Sequence, residues 1–214
     1  MADKKLPSSV ISFLTGIGAG PQAEAGLDDL PGLVRAFREA APDPDSNPFS
    51  QQNLSYLTAL LDCIDVMDER LYEHYRALID LFREAIAGIR RYADPATGLY
   101  YQVIDRADVE NNYLETSGSA MILYAMLKGV RLGLLDREDY AAYASAAFES
   151  LTREKLRQDG QGLWHLHGIC AVAGLGPGEK RDGSVAYYLS EPVVADDAKG
   201  VGPYMMAYAE YLRA

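Results

Sequence analysis

Residues 119–133, SAMILYAMLKGVRLG, carry apolar or small side chains at almost every position. At helical spacing these surround the whole circumference, so a helix here is buried on most sides. Gly133 reads as its C-terminal stop. The flanking segments differ. Leu71, Tyr75, Leu78, Ile79, Phe82, Ile86 and Ile89 form a single stripe opposite charged residues, with Asp68 as the expected N-cap. DREDYAAYASAAFESLTREK (136–155) is again one-faced, through Tyr140, Tyr143, Ala147, Phe148 and Leu151. Leu54, Leu57, Leu60, Leu61 and Ile64 share a face of an earlier helix. KGVGPYMMAYAEYLRA (199–214) is broadly apolar, with Pro203 acceptable in a first turn. Inner helices alternate with outer ones. The expected fold is all-α, built of helical hairpins in a double-layered toroid.

The connections repeat too. Gly98-Leu99-Tyr100-Tyr101 and Gly162-Leu163-Trp164-His165 lie 64 residues apart, each after an outer helix and before a broadly apolar one. Repetition on the scale of two helices marks stacked hairpins. YYQVI (100–104) and VAYYL (185–189) are the main candidate strands. Residues 29–41 predict a short helix, and PDPDSNPFSQQN (42–53) a linker rich in Pro, Asp, Asn and Ser. This divides the chain into an N-terminal segment, 1–53, and a main unit, 54–214.

A net charge of −11 over 214 residues argues against nucleic acid, which calls for a basic footprint. An anionic ligand would need a local positive site. No apolar run approaches the ~20 residues of a membrane span. Two cysteines, Cys63 and Cys170, in apolar stretches give no disulfide framework. The first 25 residues imitate a signal peptide only loosely, with Ser, Thr and Gly breaking the apolar run, so the expected location is the cytoplasm.

DPATGLYYQVIDRADVENNYLETSGSAMILYAMLKGVRLGLLD (94–136) resembles the C-terminal part of the unsaturated rhamnogalacturonyl hydrolases, glycoside hydrolase family 105, related to family 88. LHGICAVAGLG (166–176) and RDGSVAYYLSEPVVADDAKGVGPYMMAYAEY (181–211) continue the resemblance in order, from about Leu54 to Ala214. It implies an (α/α)6 barrel, here a partial one with room for five or six of about twelve helices. It also implies a reaction: hydration of the C4–C5 double bond of an unsaturated galacturonate left by pectin lyases. A carboxyl group protonates the vinyl ether and water then attacks, unlike the carboxylate pair of ordinary glycosidases. The family's acid is an aspartate in an N-terminal Trp- and Asp-containing motif, which has no counterpart here. The family's substrate-holding Trp-x-Arg and Gly-Trp block gives way to Phe49, Gln51, Leu54 and Ser55. No catalytic residue is therefore assigned. The alternative to a hydrolase is a non-catalytic remnant, or a carbohydrate-binding subunit.

Candidate substrate contacts are Tyr101, Gln102, Trp164, His167 and Lys199. Tyr101 and Gln102 lie in the family-marked loop, where Asn112 and Glu115 are expected to cap or brace the next helix. His165 and His167 would point the same way on an extended segment, with Trp164 beside them as a stacking platform. A metal site would need a third ligand, and none is signposted. Lys199 offers positive charge to an uronate, while Asp196 or Asp197 is placed to cap the last helix. GLGPGEKRDGS (174–184) lacks the strand–loop–helix context of a phosphate cradle and reads as a surface turn. His74 sits on an outer helix, facing solvent. The expected ligand is an unsaturated uronide, with no cofactor, nucleic acid or membrane. A partial toroid exposes apolar inner helices, so a homodimer or a partner subunit is expected.

Overall fold

The computed structural model describes residues 30–39, 51–68, 70–174 and 182–214. Helices α1 (Leu30–Glu39), α2 (Gln51–Val66), α3 (Tyr72–Arg90), α4 (Thr116–Arg131) and α5 (Arg137–Lys155) are followed by a strand-bearing segment. That segment holds β1 (Leu156–Gln158), β2 (Trp164–Leu166), β3 (Ile169–Cys170), the six-residue α6 (Val185–Ser190) and β4 (Val193–Val194). Helix α7 (Ala198–Tyr211) comes last. β1 and β2 pair antiparallel, as do β3 and β4. The fold is all-α, with two small ribbons at one end.

The layering follows the sequence pattern. α4 packs against α2, α5 and α7, and its residues Ile122 to Val130 are all buried. α2 is buried almost all round from Tyr56 to Ile64. α3 and α5 bury one face each, Leu78, Ile79, Phe82, Ile86 and Ile89 on α3, and Ala144, Ala147, Phe148 and Leu151 on α5. α2, α4 and α7 thus form the inner layer, with α3 and α5 outside. Gly133, at φ +70, ends α4 as expected.

Several local expectations are corrected. α2 begins at Gln51, so residues 51–53 belong to the helix rather than the linker. Asp68 does not cap α3: Leu71 holds the cap position without a side-chain bond, and Asp68 instead accepts from the Arg70 backbone and guanidinium. Leu71 stands 40% exposed, outside the α3 stripe. VAYYL is helical, because Ser184 accepts from the Tyr187 amide and starts a helical turn. YYQVI forms only a single bridge, Tyr101 to Leu114. α7 buries Gly200, Tyr204, Ala207 and Glu210, while Met205 is 56% exposed, so one side of this inner helix is bare. The surface turn expected at 174–184 falls mostly outside the described residues, as do the side chains of Phe49, Gln51 and Leu54.

A buried ion pair crosses the inner layer. Asp62 of α2 accepts from the Lys128 amine at 2.7 Å and the Tyr124 hydroxyl at 2.6 Å, both on α4. Lys128 also reaches Asp65 at 3.0 Å. Burial alone would lower the Lys128 pKa, but bonding to Asp62 and Tyr124 outweighs it and the pKa rises. The amine therefore stays charged. Removing one partner of such a pair strands the other in a low-dielectric interior. Lys128→Met should cost about 3–5 kcal/mol in urea unfolding. The combined change Asp62→Leu, Tyr124→Phe and Lys128→Met removes the three mutually bonded groups together and should recover much of that loss. A single variant as stable as the wild type would show that the pair does not couple α2 to α4.

Candidate functional site

The N-terminal ends of α4 and α7 open on the same end of the fold as the 91–115 loop and the two ribbons. Glu115 organises this end. It is 3% exposed and caps α4, accepting from the Gly118 amide at 2.5 Å and the Ser117 hydroxyl at 2.8 Å. It also accepts from the Cys170 amide of β3 at 3.0 Å. Its backbone donates to Tyr100 at 2.8 Å, and the next amide, Thr116, donates to Gly168 at 2.9 Å. One residue thus joins the loop, an inner helix and a ribbon. Burial raises the Glu115 pKa, and the hydrogen bonds pull the other way.

Asn112 braces the loop as expected, donating to the Val103 and Arg106 carbonyls at 2.8 Å each. Tyr100 is buried, and Tyr101 is half-buried at the bridge to Leu114. Gln102 is buried as well, its amide donating to the Cys170 sulfur at 3.2 Å. Lys199 is tethered to the Ala171 carbonyl and lies 3.4 Å from Asp197. Asp197 is the residue that caps α7, through the Lys199 amide at 2.9 Å. Trp164 is 61% exposed, and His167 is exposed.

Ribbon register separates two of these candidates. Gln158 pairs with Trp164, Arg157 with His165, and Leu156 with Leu166. Side chains alternate faces along a strand, so Trp164 lies on the face opposite His165. His165 and His167 stay together, with ring centroids 6.4 Å apart.

His165 forms the second organising contact. Its Nδ1 lies 2.6 Å from Asp196 and its Nε2 3.3 Å from Asp159. Asp196 also accepts from the Leu166 amide at 2.8 Å, which ties the approach to α7 onto β2. Asp196 takes φ +59 to do this, a left-handed conformation that Asp and Asn tolerate better than most residues. The clamp escaped the sequence reading, although Asp159-Gly160 between two short extended runs is a hairpin signal.

The Gly98 and Gly162 turns share a backbone, with φ +71 and +84. Their surroundings differ. Leu99 and Tyr100 are buried, and a Cβ at Gly98 would sit 2.7 Å from Ala147 of α5. Leu163 and Trp164 are 58% and 61% exposed. On α3, His74 is half-buried, not fully solvated, and borders a cleft of about 450 Å3 against α1 with Arg35 and Arg38. Among the described residues, no three His, Cys, Asp or Glu side chains converge as a metal site would require, and no helix is long and apolar enough to cross a membrane.

Inner and outer helices with polar loops at one end define a double-layered helical toroid fold. Residues 55–214 match the sequence profile of Glycosyl Hydrolase Family 88, and the chain belongs to that family. It is 52% identical over 135 residues to Protein Atu3128 of Agrobacterium fabrum, covering 61% of this chain and 58% of that protein. The 24.9 kDa protein in the picA locus of Rhizobium radiobacter gives the same figures. Among solved structures, a family 105 glycoside hydrolase of C. acetobutylicum superposes with a TM-score of 0.80 at 31% identity. That superposition covers 96% of this chain and 63% of that one. A family 88 glycosyl hydrolase from Bacteroides vulgatus shares the fold at TM-score 0.65 and 16% identity, over 95% of this chain and 60% of its own. The chain thus spans less than two thirds of these relatives.

The His165 clamp makes its own pH dependence. Hydrogen bonding to Asp196 and then Asp159 raises the His165 pKa, and both carboxylates are lowered. A raised histidine contributes stability below its unfolded value, and that contribution is lost as pH rises through the folded value. The lowered carboxylates contribute above their unfolded values and lose it as pH falls through the folded ones. In an NMR titration the His165 ring should therefore have a midpoint above about 6.5, and Asp196→Asn should bring it down. An unchanged midpoint in that variant would show that Asp196 does not hold the ring.

Proposed function

We propose that the chain supplies the sugar-facing surface of an unsaturated-uronide hydrolase of pectin metabolism, with the catalytic acid lying outside residues 51–214. The reaction is addition of water across the C4–C5 double bond of a terminal unsaturated galacturonyl residue. Protonation at C4 and water attack at C5 give a hemiketal, which opens and releases the neighbouring sugar. Membership of family 88 supports the class of chemistry, and the match to a family 105 hydrolase over nearly the whole chain supports the substrate class.

The observation that carries the division of labour is the state of the carboxylates at the inner-helix mouths. Glu115 is buried under its hydrogen bonds, Asp197 caps α7, and Asp196 is held by His165 and Leu166. Each already serves the fold. A general acid must reach the proton acceptor at hydrogen-bond distance, and these three are committed elsewhere. The uncovered Leu163–Trp164 turn supports a partner, because the equivalent Leu99–Tyr100 turn lies beneath a neighbouring outer helix. Unbridged, buried Cys63 and Cys170 are consistent with a cytoplasmic setting.

With purified chain and an unsaturated galacturonyl-rhamnose, the ultraviolet absorbance of the conjugated uronate should not decay. Positioned proton transfer is worth roughly 100- to 10,000-fold, so its absence is easily seen. Turnover abolished by Glu115→Gln or Asp197→Asn in a folded protein would place the acid in this chain. Sedimentation at micromolar concentration should show self-association or capture of a partner, and a compact monomer would remove the support drawn from the bare turn.

A further inference from the structure

In a chain with net charge −11, the β1–β2 ribbon concentrates basic groups on one face. Arg157 pairs with His165 across the strands. The Lys155 carbonyl, one residue before β1, accepts the His167 amide at 2.9 Å and extends the ribbon by a pair. Residues two apart on a strand share a face, and directly opposite residues are about 5 Å apart at Cβ. Arg157, His165 and His167 therefore share one face of the ribbon, and Lys155, the last residue of α5, reaches them from the helix end, its amine lying over Gly168 and close enough to Arg157 to feel its charge. Arg157 and His167 are exposed, and Lys155 is half-buried.

Most ordered cations near this end already have partners. Lys199 is tethered beside Asp197, and Arg106 reaches Asp108 at 3.3 Å. Among the described residues, the Lys155 amine and the Arg157 guanidinium make no hydrogen bond or ion pair. Gly168 explains how Lys155 is held: a Cβ there would sit 3.2 Å from the amine and 2.9 Å from the Thr116 hydroxyl. Gly168, at φ +80, leaves the space in which the lysine lies over this backbone at the start of α4. Of the acids around the group, Asp159 and Asp196 hold His165, Glu115 lies buried beneath, and Glu154 is the half-buried sequence neighbour of Lys155. Burial lowers the Lys155 pKa, with Glu154 and Glu115 acting in the other direction, as for a partly desolvated cation. Charge attraction gains most in such surroundings.

We propose that this ribbon face, with Lys155 and Arg157 as its fixed charges, binds the carboxylates of an acidic oligosaccharide. The ligand class is a short uronic-acid chain. The proposal rests on the carbohydrate reading above and moves the uronate-binding cation from Lys199 to Lys155 and Arg157. The His167 ring lies beside them, available to a sugar hydroxyl.

Calorimetry with trigalacturonate and neutral galactotriose tests it. The wild type should prefer the acidic trimer, and the double variant Lys155→Gln, Arg157→Gln should lose that preference by about ten-fold, the loss of one or two screened ion pairs. Added salt should weaken the wild-type preference in the same way. An equal charge change on the outer helices, Arg76→Gln with Arg137→Gln, should leave it unaltered, since Arg137 lies about 27 Å away along α5. Thermal unfolding and the circular dichroism of each variant confirm that it is folded. Binding of both sugars with the preference intact in the double variant would overturn this assignment and leave the carbohydrate reading standing. Binding of neither sugar by the wild type would overturn both.

Discussion

The loop-bearing end of this helical fold depends on one buried carboxylate. Glu115 starts α4, holds the Cys170 amide of β3, and through its own backbone keeps Tyr100 in register. A carboxylate that accepts two or three amide and hydroxyl bonds in an apolar interior is worth more than its cap alone, because each lost bond strands a buried donor. The loop cannot shift without α4, and the ribbons cannot shift without either. At the opposite end of α4, Lys128 ties to α2, and Arg131 reaches Glu210 of α7 at 3.0 Å. The inner layer is therefore fixed by polar contacts at both ends and by close packing between.

Rigidity of this kind positions groups without making them reactive. Glu115, Asp196 and Asp197, the acids at the inner-helix mouths, are structural, and each is satisfied by the scaffold. Among the described basic groups near this end, Lys155 and Arg157 make no ion pair, while Lys199 and Arg106 do. A surface that holds its carboxylates and presents its cations suits binding of an acid better than proton donation to one.

Much of the architecture was legible because α4 is apolar around its circumference while α3 and α5 are apolar along one stripe, and that contrast survives any error at helix ends. The Glu115 brace was legible from its position before the buried run. What was not legible involved short elements and distant partners. A three-residue strand such as Leu156–Gln158 is too short to show a period. VAYYL has strand-like residues, yet a Ser184 cap and its surroundings make it a helix. Lys128 sat inside an apolar run with nothing nearby in sequence to mark Asp62, 66 residues away, as its partner. The split of Trp164 from His165 and His167, by contrast, follows from strand alternation alone once the segment is extended, as its pairing with β1 shows it to be.

The most direct measurement is to titrate isotopically labelled full-length chain with trigalacturonate and follow backbone amide shifts. Shifts should gather at residues 155–168, on the ribbon and its approach to α4, with smaller changes around Tyr101. Shifts confined to the cleft between α1 and α3, around Arg35, Arg38 and His74, or no shifts at all, would contradict that placement.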